Sequence, residues 1–177
     1  MEIITIPLAG ALEHKDNMNN HGIIKYGDVQ VMSAGSGVTH SEFNASKTEA
    51  VKLFQIWLYP DKENVNPRYD QLSLNISDRK NKLQTIVSPD TEKSGLWIHQ
   101  QAWLSMGNFE KDKNTSYKIK KEGNGVYAMV VKGEFEINNN VLYERDAIGL
   151  WNTSEINFIA KTEGAEILLL DIPMQLN

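Results

Sequence analysis

The chain has 177 residues, a formal net charge of −5, 41% hydrophobic residues and no cysteine. This length admits one large domain or two small ones, and the missing cysteines exclude a disulfide framework, a thiolate metal site and a cysteine nucleophile. No apolar run reaches the roughly 18 residues of a membrane span, the acidic balance argues against a nucleic-acid groove, and the first residues lack a basic, apolar leader, so a cytoplasmic protein is expected.

The dominant period along the chain is two. The first stretch pairs Gly10-Ala11-Leu12-Glu13 with Ile24 and then Gly27-Asp28-Val29. It predicts a strand, a turn, a strand and an acidic turn residue that opens the next strand. Residues 27–42, GDVQVMSAGSGVTHSE, run extended, turn sharply at Gly35-Ser36-Gly37 and become extended again. Residues 51–58, VKLFQIWL, form a β-rich run that ends at Pro60 and Asp61. Residues 61–69 are polar and contain Pro67; no long stretch of the chain has helical periodicity, and the best short candidate for a helix lies around Arg68 to Leu72. A second polar loop covers residues 88–95. Residues 111–121 hold the one basic cluster, interrupted by Asp112 and expected to be solvated. Residues 125–137, GVYAMVVKGEFEI, read as two strands meeting at Gly133, with a turn at Asn138-Asn139-Asn140. Strands at 155–160 and 166–172 flank a turn at 162–165.

Short strands at this spacing predict an all-β sandwich or barrel. The organisation expected is an N-terminal β unit at 1–60, a connector with the start of a second unit at 61–100, and a C-terminal β unit at 101–177. A faint repeat relates the 10–29 markers to Gly133-Glu134-Phe135-Glu136, Leu142 and Arg145-Asp146-Ala147.

Chemistry concentrates in residues 27–42. On a strand His40 and Glu42 share one face, so an imidazole nitrogen and a carboxylate oxygen can meet one metal ion. A surface pair without a ligand fits the same pattern. Gln55, in register with Leu53 and Trp57, is either a contact of such a site or a hydrogen-bonded core amide. Gln30 and Met32 share a strand face and either line the same cavity or pack ordinarily. His14 reads as a solvated turn histidine, His21 as a hairpin-tip residue and His99 as packed beside Trp97. No histidine follows residue 99, so the C-terminal unit has no histidine-ligated metal.

These residues resemble the pirin family. The match runs through Glu2-Ile3-Ile4-Thr5, Leu8 to Asp16 and Gly27 to Glu42, continues in Leu53 to Leu58 and Pro67-Arg68-Tyr69, and ends in Glu166 to Pro173. The resemblance implies two cupin barrels, each a double-stranded β-helix, with one mononuclear transition metal (Fe, Ni, Cu, Mn or Zn) in the N-terminal barrel. Its metal sphere is three histidines and a glutamate, of which His40 and Glu42 match two. Bacterial members resemble quercetin 2,3-dioxygenases, which implies a flavonol-like substrate and a role for Glu42 as catalytic base. The His-Pro-His segment that supplies the other two ligands lies, in the family, just before the position matching Met1. The N-terminal barrel is therefore expected to be incomplete, its metal affinity reduced, and its open side covered in a homodimer; a full bicupin needs roughly 50–60 residues more. The competing expectation is a non-catalytic cupin that binds a ligand or a protein partner.

Overall fold

The computed structural model describes residues 1–91 and 95–175, and part of the polar loop at 88–95 therefore lies outside the described residues. Among the described residues the strands in chain order are β1 (Glu2–Ala9), β2 (Ala11–Asp16), β3 (His21–Lys25), β4 (Asp28–Ser33), β5 (His40–Asn44), β6 (Lys52–Leu58), β7 (Arg68–Ser73), β8 (Leu83–Ser88), β9 (Leu96–Trp97), β10 (Trp103–Phe109), β11 (Asn114–Lys118), β12 (Asn124–Lys132), β13 (Glu134–Ile137), β14 (Asn140–Tyr143), β15 (Ala147–Leu150), β16 (Glu155–Ala160) and β17 (Ala165–Pro173). The only helical turn among the described residues is a 3-10 segment at Ile76–Arg79, and no helix is long and apolar enough to cross a membrane.

The chain forms two units, Met1–Leu74 with Pro89–Gln100, and Asn75–Ser88 with Gln101–Asn177. Residues 61–100 thus divide between them: β7 extends the first unit's sheet, and β8 pairs with β10 in the second. The segment around Arg68 to Leu72, the best short candidate for a helix, is instead strand β7. Its register against β4 pairs Tyr69 with Met32 and Gln71 with Gln30. Pro67 disfavours the helical region for the residue before it, and β4 supplies a ladder that the polar sequence RYDQLS does not advertise.

In the first unit one sheet has the order β6-β1-β4-β7 and the other β3-β2-β5. In the second unit the orders are β15-β12-β17-β10-β8 and β11-β16-β13-β14. The second unit's sheets close on an apolar core in which Phe109, Phe135 and Phe158 pack edge to face at 5.4–6.1 Å between centroids.

The two units repeat one connectivity. β1 lies between β4 and β6 as β12 lies between β15 and β17; β2 lies between β3 and β5 as β13 lies between β14 and β16. The marker residues of the sequence repeat fall at matching places. Gly10 and Gly133 both turn the chain with positive φ. Asp28 accepts a hydrogen bond from the Lys25 amide at 3.0 Å, and Asp146 from the Tyr143 amide at 3.0 Å. The repeat also exposes a difference. In the second unit β10 covers the outer side of β17 and β11 that of β16. Among the described residues nothing occupies the equivalent places beside β6 and β5, so both are edge strands.

The turn between β4 and β5 is fixed by Gly35. Its φ is +52°, and a Cβ there would lie 2.1 Å from the Val65 carbonyl oxygen, which accepts the Ser36 amide at 2.9 Å. Gly35→Ala is expected to lower stability by about 2 kcal/mol or more, measured as a shift of the urea midpoint at constant slope.

The outer face of the first sheet is closed by β9 and its neighbours. Arg68 stacks on the Trp97 ring at 3.8 Å and donates to the Trp97 carbonyl. The His99 ring meets Trp97 edge-on at 4.8 Å, in keeping with a packed histidine. Glu2, fully buried, accepts the Ser33 hydroxyl at 2.8 Å. Burial pushes the Glu2 carboxyl up, against the lowering effect of bonds from Ser33 and His99 and the charge of Arg68. A raised acid binds its proton more tightly in the folded state, so its contribution to stability declines as pH rises above the ordinary value of 4.5. The stability of Glu2→Gln relative to the natural protein should accordingly rise with pH through this window; a flat difference in a pH series of unfolding curves would contradict it.

Candidate metal centre

Strands β2 and β5 pair so that His14 faces Glu42 and Asp16 faces His40. Because side chains alternate, these four groups lie on one face of the small sheet. The other face carries Glu13, Lys15 and His21, an exposed cluster in which Glu13 contacts Lys15 at 3.1 Å and His21 at 2.9 Å. His21 therefore has no part in the site.

Glu42 is held by two amides from the opposite sheet. Gln30 Nε2 donates to Glu42 Oε1 at 3.1 Å and also to Thr5 Oγ1 at 3.2 Å. Gln55 Nε2 donates to Glu42 Oε2 at 2.6 Å, while Gln55 Oε1 accepts from the Trp57 indole at 3.2 Å. Of the residues singled out in the sequence, Gln30 and Gln55 are thus brought onto Glu42. His40 stacks on the His14 ring, centroids 5.7 Å apart. Met32 shares the strand face of Gln30 and is fully buried between Ile3 and Tyr69 in the register, a packing residue without a polar role.

His14 corrects the sequence expectation. It is not a solvated turn residue: it is fully buried and stacked on Tyr69 at 4.5 Å between centroids. Strand β2 extends to Asp16, two residues past His14, and alternation turns Leu12 and His14 inward together. His14 Nε2 lies 3.2 Å from Asp16 Oδ2. Burial pushes the Asp16 carboxyl up, but the bonds from the Asn20 side chain and amide, from His14 and from the Met18 amide outweigh it and hold Asp16 below the usual range. Tyr69, the other neighbour missed in the sequence, is pushed up to about 12, by burial first and then by the charges of Asp16, Glu42, Asp28 and Asp70. It remains a phenol and donates to Gln71 Oε1 at 3.0 Å. The detectable signal was the spacing itself, since His14-x-Asp16 repeats His40-x-Glu42.

The chemistry of this donor set fits a first-row transition metal: one imidazole and one carboxylate, with a second buried imidazole whose Nδ1 has no hydrogen-bond partner. Among the described residues no three His, Asp or Glu side chains already converge on one point, so His40 and Glu42 would hold an ion together with donors from elsewhere.

Comparison with known proteins shows the family. The family profile described as Pirin matches residues 1–58, and that of the quercetinase C-terminal cupin domain matches residues 85–172. A quercetin 2,3-dioxygenase from Escherichia coli (strain K12) is 36% identical over 173 residues, covering 98% of this chain and 73% of that protein. The chain belongs to the pirin family. A pirin-like protein of Caulobacter vibrioides is 35% identical over 97% of the chain and 73% of its own length. The crystal structure of YhhW from Escherichia coli superposes with a TM-score of 0.92 at 34% identity, covering 99% of this chain and 73% of that one. The bacterial pirin YhhW in complex with nickel(II) superposes with a TM-score of 0.89 at 35% identity, covering 98% and 72%. The fold is accordingly a bicupin, and the first unit is a pirin cupin whose strands β5 and β6 are, among the described residues, unpaired on their outer sides.

Proposed function

We propose that the first unit is the metal-bearing half of a dioxygenase of the quercetin 2,3-dioxygenase type, with His40 and Glu42 as protein ligands and a flavonol-like aromatic as substrate. The observation that carries this reading is the clamping of Glu42: two amides from a different sheet fix both oxygens of one carboxylate beside His40. Supporting hydrogen bonds of this kind orient a ligating carboxylate. The names of the relatives and the nickel(II) complex of one of them support the same assignment.

The metal, when bound, supplies a Lewis acid and a site for dioxygen chemistry. The chain's own residues do the rest. Gln30 and Gln55 hold Glu42 in place, and Glu42 accepts the proton of a substrate hydroxyl that reaches its carboxylate. Met32, fully buried, is the register neighbour of Tyr69, which stacks on His14. The edges β5 and β6, unpaired on their outer sides among the described residues, with Phe43 and Trp57 exposed on them, support a second copy as cover for the open side.

Metal content after purification without chelator, followed by oxygen uptake with quercetin, tests the reading. One equivalent of iron, nickel or copper with quercetin-dependent uptake is expected. Protein that stays metal-free after incubation with these ions and shows no uptake would favour the alternative, a non-catalytic cupin that binds a ligand or partner; that alternative draws its support from the absence of a converged three-residue donor set among the described residues.

A further inference from the structure

Strands β4 and β15 hold the same place in the repeat, one beside β1 and the other beside β12. In the first unit a further strand completes that place: β7 pairs antiparallel with β4 from Asp28–Ser73 to Ser33–Arg68. In the second unit, among the described residues, β15 ends its sheet and no strand lies beyond it. The ladder shows which backbone groups this leaves free. The Val130 amide donates to the Asp146 carbonyl at 3.0 Å, and Ala128 and Val126 stand opposite Ile148 and Leu150. Antiparallel bonds recur at every second residue. Ile148 and Leu150 therefore bond to β12, and the amides and carbonyls of Ala147 and Gly149 face outward.

Edge strands are usually guarded by charge, proline or a bulge. β15 has none of these: it reads Ala147-Ile148-Gly149-Leu150, keeps one register against β12 and runs into Trp151. Ile148 and Leu150 pack on the core, so Gly149 lies on the other face with Tyr127, its register partner. Tyr127 and Trp151 are 44% and 58% exposed. The Trp151 indole lies along the strand, 3.8 Å from where a Gly149 Cβ would stand, and nothing else comes within 4 Å of that point.

We propose that β15 is the contact of a two-fold dimer, in which β15 of a second copy takes the place that β7 takes in the first unit. A strand turned about a two-fold axis runs antiparallel to itself, so every contact occurs twice. With the axis at Gly149, each Gly149 faces its counterpart and each Ala147 faces Trp151 of the other copy. These are the positions whose backbone groups point outward, so the pairing satisfies them. The paired glycines leave a bare floor on which the two indoles meet, and alanine leaves room beside each ring. Fully buried aromatic side chains cover about 150–250 Å² each; four half-exposed rings and two short strands give an interface of about 1,000 Å² in total, the size of a reversible association. The contact uses neither β5 nor β6 and is separate from the cover of the first unit's open side.

Sedimentation equilibrium of the full chain from about 1 to 300 μM tests this, with a dimer dissociating in the micromolar range expected. Gly149→Lys sets two like charges opposite each other at the axis and should raise the dissociation constant about 10-fold or more. Gly149 does not have positive φ, so the folded monomer accommodates the side chain. Phe43→Lys, on the β5 edge, should leave the dimer unchanged. The chain has no cysteine, so Gly149→Cys carries its only thiol; hydrogen-bonded antiparallel partners stand about 5.5 Å apart, within the roughly 4.4–6.8 Å that a disulfide spans, and mild oxidation should give a covalent dimer. A natural protein that stays monomeric throughout, an unchanged dissociation constant in folded Gly149→Lys, or a dimer lost in Phe43→Lys and kept in Gly149→Lys would overturn the proposal. If Gly149→Lys does not fold, Gly149→Cys decides: a chain that gives no covalent dimer on oxidation overturns it.

Discussion

Asp171→Ala is expected to lower the unfolding free energy of the second unit by about 3–5 kcal/mol. Asp171 is fully buried on β17. Its Oδ2 accepts the Tyr117 hydroxyl at 2.9 Å and the Lys120 amide at 2.7 Å, and its Oδ1 accepts Asn124 Nδ2 at 2.7 Å. One carboxylate thus ties β11, the loop that follows it and β12 to β17. Alanine would leave a hydroxyl and an amide N–H without their acceptor, and an orphaned buried donor costs its full desolvation. Tyr117 reports the change. Burial first, and then the Asp171 charge and hydrogen bond, push its hydroxyl far above the ordinary phenol range. Asp171→Asn keeps one acceptor and should cost about 1–2 kcal/mol. Urea unfolding followed by far-ultraviolet circular dichroism measures both; equal losses for the two variants would show that the bonds to the carboxylate contribute little.

Glu42→Ala carries the largest expected effect on function. Losing a supporting hydrogen bond around a metal typically costs about 10–100-fold in affinity, and losing Glu42 removes an anionic ligand and the anchor of two amides together, so nickel retention should fall further than that. Stability should respond in the opposite sense or little, because Gln30 keeps its bond to Thr5 and Gln55 is exposed. Glu42→Gln separates the two roles: an amide oxygen can still accept from one glutamine but brings no charge to an ion. Nickel binding at natural strength in Glu42→Ala would remove Glu42 from the ligand set.

Much of the second unit was legible in the sequence. Its strands alternate cleanly, and its turns sit on residues that adopt positive φ at little cost, such as Gly133, Asn138, Asn139 and Gly164. Residues 155–160 and 166–172 fell almost on β16 and β17. The first unit was harder because its inward faces are polar. β7 carries Tyr69 and Gln71 toward His14 and Asp28, so its alternation does not separate apolar from polar residues. The same disguise hid His14, a charged-looking position in LEHKD that alternation buries. His40 and Glu42 were visible because the Gly35-Ser36-Gly37 turn isolates them. Their partners come from β2, β4 and β6, and register across strands far apart in sequence cannot be read from one strand at a time.

The unpaired outer sides of β5 and β6 have a consequence for how the molecule opens. Among the described residues no neighbouring strand holds their outward amides, whereas the equivalent amides of β16 and β17 are held by β11 and β10. Local opening is cheapest where such ladders are missing. Backbone hydrogen exchange should therefore be fastest along the strands that carry His40, Glu42 and Gln55, while the barrel behind Asp171 exchanges last. An ion held by His40 and Glu42 would reverse that order locally, since a ligand that binds only the folded strand protects it from opening.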